Sequence, residues 1–295
     1  MKINVLLAVS MLFSGSMAVA AASAESNGTS SLVAALTPAS PTRSGWKLVW
    51  SDEFDVEGLP DPTKWGYDTD RNKQGWYNNE LQYYAKDRLE NASVQGGFLT
   101  ITTRRESLTT AADYGGQLYT SARLTTRDKP SATWTYGFME VRAKLPCSLG
   151  TWPAIWMLGT NGIWPDDGEI DIMEQKGTSA DDKTKVSATI HTKAYNHANG
   201  TVGVAPVGVR TIADACTQFH NYQLTWTTDK VMVGVDDAEY FSYAKPEYAG
   251  YAKWPFDDSQ YLILNIALGG FMGGEVPKNF VSDQMVVDYV RVYQK

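Results

Sequence analysis

The run Asp166-Asp167-Gly168-Glu169-Ile170-Asp171-Ile172-Met173-Glu174 sets its carboxylates among aliphatic residues instead of in a polar loop. Side chains alternate between the two faces of a strand, so Glu169 and Asp171 share one face while Ile170 and Ile172 take the other. Glu174 breaks the pattern. Five residues from Glu169, it falls on the aliphatic face, where an unpaired carboxylate is costly to bury. One extra residue at Ile172 or Met173, a β-bulge, returns it to the front, and bulges of this kind gather beside active sites. Three carboxyl groups on one face repel one another and spread their pKa values, so that one can stay protonated while another is ionised. Hydrolysis of a glycosidic bond with retention needs that division: one carboxylate attacks the anomeric carbon, and an acid roughly 5 Å away protonates the leaving oxygen. Backbone positions four strand steps apart are about 13 Å distant, so the two Glu side chains must lean together over a curved sheet with Asp171 between them. A solvated acidic strand or a cation site would show the same spacing.

The neighbouring aromatic residues favour a sugar ligand. Trp152 and Trp156 stand an even number of residues apart before the acidic run, so in a strand they share a face and can stack on pyranose rings. Trp76, Asn78 and Asn79, in a Gly- and Asn-rich stretch, offer ring stacking with hydroxyl recognition or else a plain turn. Other chemistries lack their residues. The chain has no Gly-rich phosphate loop ending in Lys-Ser/Thr, no dinucleotide Gly pattern on a strand-helix unit and no His-Glu-x-x-His, and past residue 24 there is no Gly-x-Ser-x-Gly. With His191, His197 and His220 as its only histidines, a His-rich zinc site is not expected. A net charge of -7 argues against a nucleic-acid partner.

The elements that must position these groups are strands. Short alternating runs at 98–103, 118–124, 136–144, 186–191, 222–226, 230–235, 261–268 and 285–293 are separated by Gly, Pro, Asn and Asp, and no long window carries an apolar stripe at helical spacing. About 250 residues of this kind form a large antiparallel sandwich or barrel. Residues 1–24 read as a signal peptide, with a basic start, an apolar stretch and a small-residue cleavage site at Ala22-Ser23-Ala24. Residues 25–42 read as a flexible leader and 43–295 as the catalytic domain. The product is expected to be secreted, monomeric and free of the membrane once processed. In an oxidising compartment Cys147 and Cys216 can pair as a disulfide or remain two buried thiols. Asn27, Asn91 and Asn199 head glycosylation sequons.

The run 168–174, preceded by Trp152-Pro153-Ala154-Ile155-Trp156-Met157-Leu158, resembles the signature of glycoside hydrolase family 16, in particular its laminarinase-type endo-β-1,3-glucanases. The likeness extends from Ser51-Asp52-Glu53-Phe54 through Asn78-Asn79-Glu80-Leu81-Gln82, Tyr119-Thr120-Ser121-Ala122-Arg123 and Leu264-Asn265-Ile266-Ala267-Leu268-Gly269-Gly270 to the closing Val287-Asp288-Tyr289-Val290-Arg291-Val292-Tyr293. It implies an all-β jelly-roll sandwich of two curved antiparallel sheets with a concave cleft, and hydrolysis of β-1,3-glucan without a catalytic cofactor. By the same likeness Glu169 is the nucleophile, Asp171 its positioning carboxylate and Glu174 the acid/base. Asn78, Arg123, Trp152, Trp156 and His191 fall where the family binds glucosyl units; a strand-end histidine bonded to backbone is the other reading of His191. Glu53, Gly97 and Asp288 fall where many relatives hold a structural calcium ion. Phe271-Met272 stands where many laminarinases have Trp, which marks an altered outer subsite. Transglycosylation, another β-glycan substrate (mixed-linkage glucan, agar, carrageenan or galactan), and a glucan-binding module without activity are the alternatives.

Overall fold

A computed structural model describes residues 44–199 and 206–295. The segments expected to be a signal peptide and a leader, and the Asn27 sequon, fall outside the described residues. Two sheets face each other. One has ten strands and includes Gly137–Lys144, Phe98–Arg104 and the closing Ser282–Gln294. The other has eight, running in the order Val207–Thr211, Lys185–His191, Glu169–Glu174, Thr151–Gly159, Gln260–Leu268, Arg123–Thr125, Gly66–Tyr67, with Thr133–Trp134 beside Gln260–Leu268. Pairing is antiparallel except between Gln82–Tyr84 and Tyr119–Ser121, which run parallel.

Alternation supplies the core. Ile155, Met157, Ile170, Ile190 and Leu264 from the eight-stranded sheet join Met139, Val141, Leu224, Val233 and Val290 from the ten-stranded one in a single apolar cluster. Burying each such side chain is worth about 1.5–3 kcal/mol, so the inner faces hold the sandwich shut and leave the outer faces to other work. Among the described residues the one α-helical turn is Gly270–Gly273, in keeping with the lack of helical periodicity, and no helix is long and apolar enough to cross a membrane.

The expected strand 118–124 is two strands. Tyr119–Ser121 belongs to the ten-stranded sheet and Arg123–Thr125 to the eight-stranded one. The chain changes sheets at Ala122, which is fully buried and small enough to sit between them. Asn91 is also fully buried, with its amide donating to the Thr102 carbonyl and to Thr120 Oγ1, so its sequon is not open to a glycan in the folded chain. Cys147 and Cys216 form a disulfide with their Cα atoms 5.1 Å apart.

Candidate active site

The acidic run begins at a glycine that nothing else can replace. Gly168 has φ +82°, and a Cβ there would meet Pro255 Cγ at 2.6 Å, so only glycine lets the loop turn into the strand at Glu169. Along the strand, Asp171 pairs with Trp156 and Met173 with Ile155, which leaves Ile172 unmatched against Thr151–Gly159. The other edge shows the same slip, between Asp171 opposite Thr189 and Glu174 opposite Ser187. This is the bulge that the alternation demands. It buries Ile172 and Met173 and returns Glu174 to the face that carries Glu169 and Asp171.

Each carboxyl group has its own partners. Glu169 accepts a hydrogen bond from Trp164 Nε1. Glu174 accepts one from Trp152 Nε1 at 2.9 Å. Asp171, 2% exposed, lies 3.3 Å from His191 Nε2. Burial raises the Asp171 pKa and the charge of Glu169 raises it further, against an opposing pull from His191. Glu174 is raised too, by burial first and then by the charge of Asp171. Burial pulls His191 down, but the charge of Glu169 and the bond to Asp171 outweigh it and leave the imidazole at about 9. Glu169, Asp171 and His191 bring one ligand atom each within 4.8 Å of one another, a grouping able to hold a metal ion. Protonated at neutral pH, His191 serves instead as a cation between two carboxylates.

These shifts make stability pH-dependent. Asp171 and Glu174 hold their protons more tightly folded than unfolded, so their contribution is complete below the ordinary carboxylate range and is lost as pH rises through the folded pKa values. His191 acts with the same sign, its contribution present below its usual value of 6.5 and lost through about 9. Buried Lys183, lowered to about 7, acts in the opposite sense above that pH, so calorimetry is expected to show a Tm falling by several degrees between about pH 5 and pH 7, with a shallower fall in Glu174→Gln. A Tm that climbs over that interval would contradict the raised carboxyl groups.

Next to the carboxylates, Trp152 and Trp156 share the outer face of the Thr151–Gly159 strand, both partly exposed. Trp156 Nε1 donates to Asn265 Oδ1 at 2.7 Å, and Asn265 in turn donates to the Tyr84 hydroxyl. Arg123 lies between two indoles, 4.6 Å from the Trp156 ring and 5.0 Å from that of Trp76, and pairs with Asp68 at 2.9 Å. Trp76 is thus spent inside the protein. It is 7% exposed and donates to Asn72 Oδ1, so it offers no free face to a sugar, and of the two readings of its loop the stacking one falls for Trp76. Asn78 stays exposed in the Tyr77–Asn79 turn with φ 59°, and its side chain hydrogen-bonds Glu80. His191 ends its strand bonded to a carboxylate, not to backbone.

Several groups at the site had no role in the sequence reading. Glu80, raised by burial but drawn back by Gln82, Arg123 and Asn78, brings a further carboxyl group beside Arg123. Trp164 and His197 join the expected His191 in an aromatic cluster beside Glu169, with ring centroids 5.1 to 6.4 Å apart. The Trp164 turn is closed by Asp167, which accepts from the Ile163 backbone N–H and from the Tyr251 hydroxyl. Asp167 therefore serves the loop. The position of Trp164, five residues before Glu169, was the available signal. Glu53, Gly97 and Asp288 are absent from this face. Glu53 and Asp288 are ion-paired, with Arg291 and Arg142.

Residues 79–291 match the model of glycosyl hydrolases family 16. The chain belongs to this family. It is 50% identical over 262 residues to a β-glucanase of Rhodothermus marinus, an alignment covering 84% of this chain and 85% of that protein. A solved variant of SCLam, described as a non-specific endo-β-1,3(4)-glucanase of family 16 with 1,3-β-D-cellobiosyl-glucose at its active site, superposes with a TM-score of 0.81 at 52% identity, covering 86% of this chain and 96% of that one. A solved variant of LamA from Zobellia galactanivorans, in complex with laminaritriose and laminaritetraose, gives 0.72 at 38%, over 84% and 98%. The two-sheet sandwich is thus the family 16 jelly roll, and the bulged strand lies within the matched residues.

Proposed function

We propose that this family 16 hydrolase is an endo-acting β-1,3-glucanase that cleaves laminarin-like glucan with retention. The observation that carries the reading is the bulge at Ile172, which sets Glu174 on the face of Glu169 and within hydrogen-bonding reach of Trp152 Nε1. Glu169 attacks the anomeric carbon while Glu174 gives its proton to the departing glycosidic oxygen. Water, deprotonated by Glu174, then displaces Glu169 and restores the β-anomer. Asp171, hydrogen-bonded between Glu169 and His191, holds the nucleophile in place, and Trp164 donates to it; both steady Glu169 before attack and its carboxylate on departure. Trp152 and Trp156 offer ring faces, and Arg123, Asn78 and Glu80 offer hydroxyl partners. The test is release of reducing ends from laminarin, with the product anomer read by NMR, beside mixed-linkage glucan, agar and carrageenan. Release from agar or carrageenan alone, or a first-formed α-anomer, would refute the reading. Mixed-linkage glucan is the second substrate, favoured by the 52% identity to an enzyme described as acting on β-1,3(4)-glucan. Secretion belongs to the same proposal, supported by the start of the sequence and by a disulfide suited to an oxidising compartment.

A structural calcium ion is its finest part. Asp52 pairs with Val290 and Val287 with Leu99, so strand register draws Glu53, the Gly97 turn and Asp288 toward one another, a convergence that fits an oxygen-ligated cation. Glu53 meanwhile accepts from Arg291 Nε at 2.9 Å and Nη2 at 2.7 Å, so calcium must displace a bidentate pair. Excess calcium is expected to raise Tm by roughly 5 °C, with EDTA reversing the rise and Glu53→Gln abolishing it. An unmoved Tm would mean that the arginines keep their carboxylates.

A further inference from the structure

Lys183 is buried, 5% exposed, in the short turn Asp182–Thr184 that follows the acidic strand. Its ammonium donates to three neutral oxygens: the Thr151 carbonyl at 3.1 Å, Thr151 Oγ1 at 2.6 Å and Gln175 Oε1 at 3.0 Å. The Lys183 carbonyl accepts from Gln175 Nε2 at 2.8 Å, which closes the ring. Thr151 and Gln175 are themselves fully buried.

The two clamped residues adjoin the reacting pair. Thr151 directly precedes Trp152, and Gln175 directly follows Glu174. The Gln175 backbone N–H also donates to the Pro153 carbonyl, where the two strands part beyond the pairing of Ala154 with Glu174. A buried ammonium held by neutral groups is costly, and an apolar side chain of similar volume would serve stability as well or better. Burial accordingly lowers the Lys183 pKa to about 7, with Asp283 favouring the charged form. What the ammonium supplies and an apolar residue cannot is direction: three donors fixing the start of one strand to the end of the next.

We propose that Lys183 is a positioning residue for Glu174, clamping Thr151 to Gln175 so that Trp152 Nε1 and the Glu174 carboxyl group keep their register on the leaving oxygen. The proposal rests on the reading of Glu174 as acid/base. An acid is needed most where the leaving group is a sugar alkoxide and least where it is a dinitrophenolate. That difference separates a displaced proton donor from a damaged fold. Lys183→Met, assayed well below its Tm, is expected to lose about 10- to 100-fold in kcat/KM on laminarin, while a dinitrophenyl β-laminaribioside is cleaved within about threefold of the parent. Thr151→Val removes one prong with little change of shape and keeps the question open to test if Lys183→Met does not fold; it should show the same split at smaller size. Equal losses on both substrates, or no loss on either, in the folded variant would overturn the proposal. Glu174→Gln, run alongside, identifies which idea has failed. If it shows the split and Lys183→Met does not, only the clamp is refuted; if it shows none, the acid/base reading falls and takes the clamp with it.

Discussion

Glu169→Gln is expected to lower laminarin hydrolysis by roughly 10⁴-fold or more, the scale seen when an enzyme loses its nucleophile. The amide keeps the shape of the side chain and can still accept from Trp164, so Tm should stay within a few degrees of the parent and KM should change little. Loss of kcat with KM intact is the mark of an interaction made only on the way through the reaction. The complementary measurement uses the unaltered enzyme. A 2-deoxy-2-fluoro laminaribioside with a dinitrophenyl leaving group should trap the covalent intermediate, and peptide mass spectrometry should find the sugar on Glu169. A sugar found on Glu174 would exchange the two roles.

Glu174→Gln should fail differently. Its kcat/KM on laminarin is expected to fall by about 10²- to 10⁴-fold, the usual contribution of a general acid, and to change little for a dinitrophenyl glycoside, whose leaving group needs no proton. Turnover of the activated substrate should then stall at the glycosyl-enzyme, for want of a base to deprotonate water. Added azide, which needs no base, attacks the anomeric carbon, expels the Glu169 carboxylate and yields a β-glycosyl azide. The alkaline limb of the pH–rate profile should also vanish. With its pKa raised, Glu174 carries its proton into the neutral range, and parent activity falls as pH rises through that value. A variant that keeps the alkaline limb and ignores azide would mean that another group donates the proton.

Period-2 alternation made the bulge legible, because only one extra residue could reconcile Glu174 with the face of Glu169, and the register slip at Ile172 is that residue. The shared face of Trp152 and Trp156 followed from the same rule. What alternation could not show were contacts between segments distant along the chain. Trp76 looked free because nothing nearby in sequence reveals Arg123 lying across its ring. The strand expected at 118–124 divides at Ala122, since a local pattern describes which face a residue takes but not which sheet it joins. Lys183 resembled any surface lysine, and its burial depends on Thr151, which arrives from 32 residues away.

The Cys147–Cys216 bond spans 69 residues, and within them lie the Trp152 strand, the bulged acidic strand, the His191 strand and the edge strand Val207–Thr211. Every carboxyl group assigned to the reaction is therefore inside one covalent ring. Closing a ring of that size removes about 4–5 kcal/mol of entropy from the unfolded chain. It also changes what damage means wherever proteases are present. A single cut anywhere between the two cysteines opens the ring but leaves both pieces in one molecule, still held by the sheet hydrogen bonds on either side. Two cuts are needed before any catalytic strand can be carried away.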